Sequence, residues 1–144
     1  MDLLVVYAIS FLGLPYKWGG NDTIDGMDCS GFVQELLESS GASADPPRDR
    51  TSQQLYDYFA EHGSWNKRRV GGLVFYGESN KRITHVAFLI DSYRVIEAAG
   101  GGSRTHDRRD AARDDAFIRI RPVNYRKDLR AIIYPDYSSI GIPY

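Results

Sequence analysis

The spacing of apolar positions changes period midway along the chain. Between residues 29 and 41, Phe32, Val33, Leu36 and Leu37 recur at helical intervals, and Gly41 ends the pattern. Residues 51–62 repeat the signature, with Leu55, Tyr58 and Phe59 on one face. Leu3 to Ile9 is apolar without interruption. With Asp2 near its N-cap and Gly13 as its stop, this run predicts a core-packed helix over about 2–12. Pro46-Pro47 breaks the chain between the second and third helices. Beyond residue 70 the runs become short and rich in β-branched residues. They predict strands at 70–76, 84–90, 94–99, 117–122 and 129–134. Helices first and antiparallel strands afterwards imply an α+β domain with helices packed on one face of a sheet.

The chain of 144 residues is about one domain's worth, and no repeat or linker divides it, so residues 1–144 are expected to form a single domain. Its apolar N-terminal run resembles a signal peptide only superficially. Asp2 stands where a basic residue belongs and no small-x-small cleavage site follows. The run is also well short of the ~18 residues that span a bilayer. The expectation is therefore no export signal and no membrane insertion. A formal net charge of -1 gives no field that favours nucleic acid. Residues 103–116 carry four Arg and four Asp at close spacing, which reads as a solvated helix or loop face.

Candidate chemistry centres on the one cysteine. A lone Cys forms no internal disulfide and no Cys-based zinc site, and by default it is a small buried hydrophobe. Cys29, however, sits where the Gly- and Asp-rich loop 19–28 turns into an amphipathic helix. The positive end of the helix dipole and the free N–H groups there favour thiolate, the nucleophilic form. A thiolate needs a base, and three histidines are available. His62 ends a helix beside Gly63 and reads as a cap; His106 lies in the charged stretch. His85 opens the apolar strand Thr84-His85-Val86-Ala87-Phe88 and is the candidate base.

An imidazole in that role needs an orienting partner. Glu97, inside the apolar run Val95-Ile96-Glu97-Ala98, is costly to bury unless paired. A hairpin with the three-residue loop Asp91-Ser92-Tyr93 sets Glu97 opposite Ala87 and His85 opposite Ala99, so the two share a face as diagonal neighbours. A two-residue loop sets them on opposite faces. A carboxylate accepting from the His85 Nδ1–H would fix the tautomer and raise the histidine pKa. The Cys29 backbone N–H is the expected oxyanion donor, and Tyr16 could add a hydroxyl if its loop folds back.

These residues stand in blocks that resemble the NlpC family of papain-like cell-wall peptidases. The blocks are Leu14-Pro15-Tyr16-Lys17-Trp18-Gly19-Gly20, Gly26-Met27-Asp28-Cys29-Ser30-Gly31-Phe32-Val33, Pro47-Arg48 with Ser52-Gln53-Gln54, Gly72-Leu73-Val74-Phe75, and Thr84-His85-Val86-Ala87. The resemblance implies a papain-like α+β fold. It also implies thiol hydrolysis of amide bonds in peptidoglycan stem peptides, often between D-γ-glutamate and a diamino acid. It carries Tyr16, Asp28 and Ser30 over as substrate-binding residues, with helix capping as the plain alternative for Asp28 and Ser30. One Cys and three scattered His supply no metal-ligand spacing, so no metal and no cofactor are expected. The chain departs from the family at the third catalytic position, usually His, sometimes Asn or Gln, where it has Glu97. It also departs in showing neither a secretion signal nor a wall-binding domain. It resembles the compact versions of phage and prophage, made in the cytoplasm and reaching the wall through phage lysis or virion proteins. Two other readings stay open: an amidase or acyltransferase acting on a non-wall substrate, and a non-catalytic wall-binding module of a phage particle.

Overall fold

The computed structural model describes residues 1–41 and 50–144. Pro46-Pro47 and Arg48 lie outside the described residues. Among the described residues there are four α-helices: α1 (Asp2–Ile9), α2 (Cys29–Ser40), α3 (Ser52–His62) and α4 (Arg108–Asp114). A two-stranded ribbon, β1 (Asn21–Asp22) with β2 (Gly26–Met27), lies in the loop before α2. The main sheet contains β3 (Ser64–Trp65), β4 (Leu73–Ser79), β5 (Arg82–Leu89), β6 (Arg94–Ala99), β7 (Phe117–Pro122) and β8 (Leu129–Tyr134). Its order is β3-β8-β4-β5-β6-β7, with every neighbouring pair antiparallel. None of the described helices is long and apolar enough to cross a membrane.

Helices α2 and α3 form where the periodicity placed them because their ends are chemically specified. The Asp28 carboxylate accepts the Gly31 N–H at 2.7 Å, and Gly41 closes α2 in the left-handed region at φ 67°. Thr51 and Gln54 form a reciprocal capping box at the start of α3. The buried face of α3 is Leu55, Tyr56 and Phe59. Tyr58, expected there, is half-buried and stacks on His62 instead.

Helix α1 is shorter than expected. It ends at Ile9, and turn-type bonds carry the chain to Gly13, whose φ of 86° redirects it. Asp2 lies inside the first turn and gives no side-chain cap. A run apolar on all sides can bury only the side that meets the core: Leu4 and Ala8 are buried, whereas Leu3 is 85% exposed.

The strands at 94–99, 117–122 and 129–134 match expectation. The first two are displaced. Gly71 and Gly72 make a turn closed by Gly72 N–H to the Arg69 carbonyl, which delays β4 to Leu73. Bulges at Tyr76/Gly77 and Gly77/Ser79 let β4 and β5 run further toward their shared turn.

Both sheet faces are covered, which explains the nearly continuous apolar runs. Leu73, Phe75, Phe88 and Ile96 join Phe32, Leu36 and Phe59 in the core under the helices. Val74, Tyr76, Ala87, Leu89 and Val95 point the other way and pack with Val123 and Ile132. Residues 103–116 contain α4, capped by Asp107 and tied by exposed ion pairs from Arg113 to Asp110 and Asp114. It is a solvated helical face, as its charge pattern implied.

Candidate active site

The site begins with how Cys29 is held. It is the first residue of α2, half-exposed, with its side chain packed against the main core. Its backbone N–H is among those at a helix start that have no intrahelical acceptor. The preceding Asp28 is used fully: Oδ1 accepts from Gly31 N–H and from the Ser30 hydroxyl at 3.2 Å, and Oδ2 accepts from Gly19 N–H at 3.1 Å. Burial raises the Asp28 pKa, and these hydrogen bonds oppose the rise. Asp28 therefore caps the helix and pins the loop in front of the cysteine.

Glycine lets that loop approach. A β-carbon at Gly31 would lie 2.2 Å from the Gly20 carbonyl oxygen. The second block can therefore dock on the first only because residue 31 has no side chain. The loop does fold back: Tyr16 bridges to Met27, its N–H bonds the Ala116 carbonyl, and the residue is 5% exposed. Its ring rests against Gly101, where a β-carbon would be 2.1 Å from it. The Tyr16 hydroxyl is held far above its usual pKa, first by burial and then by the charges of Cys29 and Asp28. It stays a neutral donor beside the thiol.

The hairpin that carries the other half has the three-residue loop. Phe88 pairs with Ile96 and Leu89 with Val95, and Ile90 N–H bonds the Arg94 carbonyl. Asp91 closes the turn by accepting from the Tyr93 and Arg94 N–H groups. In that register His85 and Glu97 share a face, and His85 Nε2 lies 2.8 Å from Glu97 Oε2. The carboxylate thus holds Nε2, where Nδ1 was expected, and the other ring nitrogen is the one turned toward Cys29. Burial acts most strongly on His85 and lowers its pKa. Hydrogen bonds and opposite charge from Cys29 and Glu97 more than reverse this, raising it to about 9. The surroundings of His85 favour the imidazolium.

Glu97 is completely buried. Its Oε2 also accepts from the Tyr125 hydroxyl at 2.7 Å, while Oε1 has no hydrogen-bond partner among the described residues. Arg119 stands directly across from Glu97 in the β6–β7 ladder, yet its guanidinium turns to Asp115. The negative charge is therefore left to His85. The Tyr76 ring, cross-strand from His85, lies 5.5 Å from the imidazole and backs it.

All six residues singled out in the sequence converge. Tyr16, Cys29 and His85 meet at the thiol, Asp28 and Ser30 flank it, and Glu97 lies behind the imidazole without lining a groove. Tyr125, Tyr76, Arg121 and Arg126 were missed. Tyr125 sits in an irregular segment after β7, and no periodicity or motif marks it. His62 accepts its helix-end role by bonding the Tyr58 carbonyl, and His106 is exposed.

Two grooves open from Cys29. One, of about 300 Å³, runs past Asp28, Ser30, Gln34, Trp18 and Arg50. The other, of about 240 Å³, contains His85 and runs past Gly100, Gly101, Arg121 and Arg126. Tyr16 borders both.

The chain resembles known proteins in sequence and in fold. A model of the NlpC/P60 family matches residues 13–121. A bifunctional muramidase/DL-endopeptidase of Bacillus subtilis is 32% identical over 107 residues, covering 69% of this chain and 30% of the relative. A gamma-D-glutamyl-L-lysine dipeptidyl-peptidase of the same organism is 31% identical over 127 residues, covering 85% of this chain and 36% of the relative. The chain thus spans about a third of the length of these relatives. The crystal structure of an NlpC/P60 family protein from Bacillus cereus superposes with a TM-score of 0.69 at 25% identity, covering 94% of this chain and 39% of that one.

Proposed function

The chain belongs to the NlpC/P60 family, and on that footing we propose that it is a cysteine endopeptidase that hydrolyses amide bonds in peptidoglycan stem peptides. The observation that carries this reading is the half-exposed Cys29 at a helix start, beside a buried His85 whose far nitrogen is 2.8 Å from Glu97. The relatives' names point to wall peptides, and to a γ-D-glutamyl bond in one case.

The chemistry follows from the geometry. Cys29 Sγ attacks the scissile carbonyl, its proton residing on His85. The oxyanion that forms meets the Cys29 backbone N–H, and the Tyr16 hydroxyl is the second donor within the site. The C–N bond then breaks, and His85 gives its proton to the departing amine, leaving a thioester on Cys29. Water attacks the thioester, His85 takes the water's proton, and the released acid leaves the thiol free again. Glu97 stabilises the imidazolium, and Tyr125 holds Glu97. The groove past Asp28 and Ser30 takes the acyl side of the substrate. Residues 1–144 act as one peptidase unit in this reading.

Mass spectrometry of muropeptides released from purified peptidoglycan tests the proposal. The expected result is new amine and carboxyl termini within the stem peptide, absent with Cys29→Ala. Release by the Ala variant at the wild-type rate, or none by the wild-type protein, overturns it.

A further inference from the structure

The groove that contains His85 holds a cation with no carboxylate partner among the described residues. Arg121 is half-buried on β7 and lies with its guanidinium carbon 4.8 Å from the centre of the Tyr125 ring. Other arginines have carboxylate partners: Arg82 with Glu78, Arg94 with Asp91, Arg113 with Asp110, Arg119 with Asp115. Arg126, the second arginine in this groove, is engaged by two bonds of 2.7–2.8 Å to Asp128 and lies over the Tyr76 ring. Arg121 has no carboxylate partner among the described residues. Among the described residues no Asp or Glu lines the groove, and Glu97 is sealed behind His85.

Proton transfer fixes which part of a substrate enters here. The departing amine must receive its proton from His85, so the leaving part lies on the imidazole side of Cys29. His85 lines this groove and not the one past Asp28 and Ser30. A guanidinium backed by an aromatic ring keeps its N–H edge in plane, an arrangement suited to a carboxylate. Tyr125 also bonds Glu97, so the same ring orients both the cation and the charge behind the base.

We propose that Arg121 is a specificity-determining residue that binds a carboxylate on the leaving side of the scissile bond, so that this protein prefers amides whose departing residue is anionic. The inference rests on the endopeptidase reading above and adds to it the charge of the leaving group. In a wall peptide that carboxylate has two sources: the side-chain carboxylate of a diamino-dicarboxylic residue, or the terminal carboxylate of a stem that ends at the departing residue.

Three synthetic γ-D-glutamyl substrates separate these sources. One departs as lysine amide, with no carboxylate. One departs as lysine with its terminal carboxylate free. One departs as diaminopimelate with its α-carboxyl amidated. For the wild-type protein, kcat/KM is expected to be on the order of tenfold higher for at least one acid than for lysine amide, as for a hydrogen-bonded charge pair. Arg121→Gln should bring that ratio to about one, and Arg121→Lys should keep part of it. Because the ratio is taken within each variant, any loss of folded protein cancels. Equal rates on all three substrates by an active wild-type protein, or a ratio unaltered by Arg121→Gln, overturns the inference. Calorimetric binding of lysine amide, lysine and diaminopimelate to Cys29→Ala makes the comparison without turnover. A carboxylate preference there in a protein that cleaves nothing supports the groove and removes the endopeptidase reading. No preference in an active one does the reverse.

Discussion

His85 Nε2 lies 2.8 Å from Glu97 Oε2, across a hairpin whose loop is three residues long. That contact puts a negative charge behind the base, which meets Cys29 on its other side. Removing either group takes from the other a hydrogen-bonded charge partner in the interior, which is costly.

Glu97→Gln and Glu97→Ala should therefore differ. The amide can still accept from one neighbour and hold the ring, but it cannot compensate the imidazolium, so kcat should fall by ~10–100-fold. Alanine strands His85 and the Tyr125 hydroxyl together, which should cost about 2–4 kcal/mol of stability in addition to activity. Urea unfolding with parallel turnover measurements checks both. Equal stability of the two variants would show that the carboxyl makes no contact that matters to folding.

Tyr125→Phe removes the hydroxyl that shares Oε2 with His85. Loss of one buried hydrogen bond should lower stability by about 1 kcal/mol. A carboxylate relieved of a donor is more basic and pulls harder on the imidazolium proton. The alkaline limb of the pH–rate profile should accordingly move up, with kcat affected more than KM. A downward displacement of that limb would contradict the role given to Tyr125.

The pH dependence of stability has a definite sign. The His85 pKa is raised from 6.5 in the unfolded chain to about 9 in the folded protein. Its contribution is fully present below pH ~6.5 and is lost as pH rises from there through about 9. Unfolding midpoints should therefore decline across that window in the wild-type protein, and Glu97→Gln should flatten the decline. Activity should fall over the same alkaline range as the imidazolium is lost. Midpoints that rise between pH 7 and 9 would exclude a charged resting His85.

Gly31→Ala should be destabilising by about 1–3 kcal/mol, because a methyl there would strike the Gly20 backbone carbonyl, which has no side-chain freedom to yield. It should also lower activity by moving the Tyr16 loop away from Cys29. A thermal melt of this variant against Gly41→Ala distinguishes steric contact from conformation, since no described residue lies within 4 Å of a β-carbon at Gly41 and its φ of 67° is a source of strain there.

Much of this molecule was determined locally. Asp28, Gly31, Gly41, Thr51 and Gln54 set the ends or packing of α2 and α3 through contacts within a few residues, so motif and periodicity sufficed. The strand period and the three-residue loop between Ile90 and Arg94 also determined that His85 and Glu97 face the same way, because side chains alternate with period two and a turn fixes register. Other features depend on residues far apart in the chain. Which face of the wholly apolar α1 is buried, which ring nitrogen of His85 meets the carboxylate, and the arrival of Tyr125 behind Glu97 all follow from packing between separate elements. So does Arg121, which reads in the sequence as one more charge on a strand. Only the assembled sheet sets it in the groove of His85, on Tyr125, with no acid among the described lining residues.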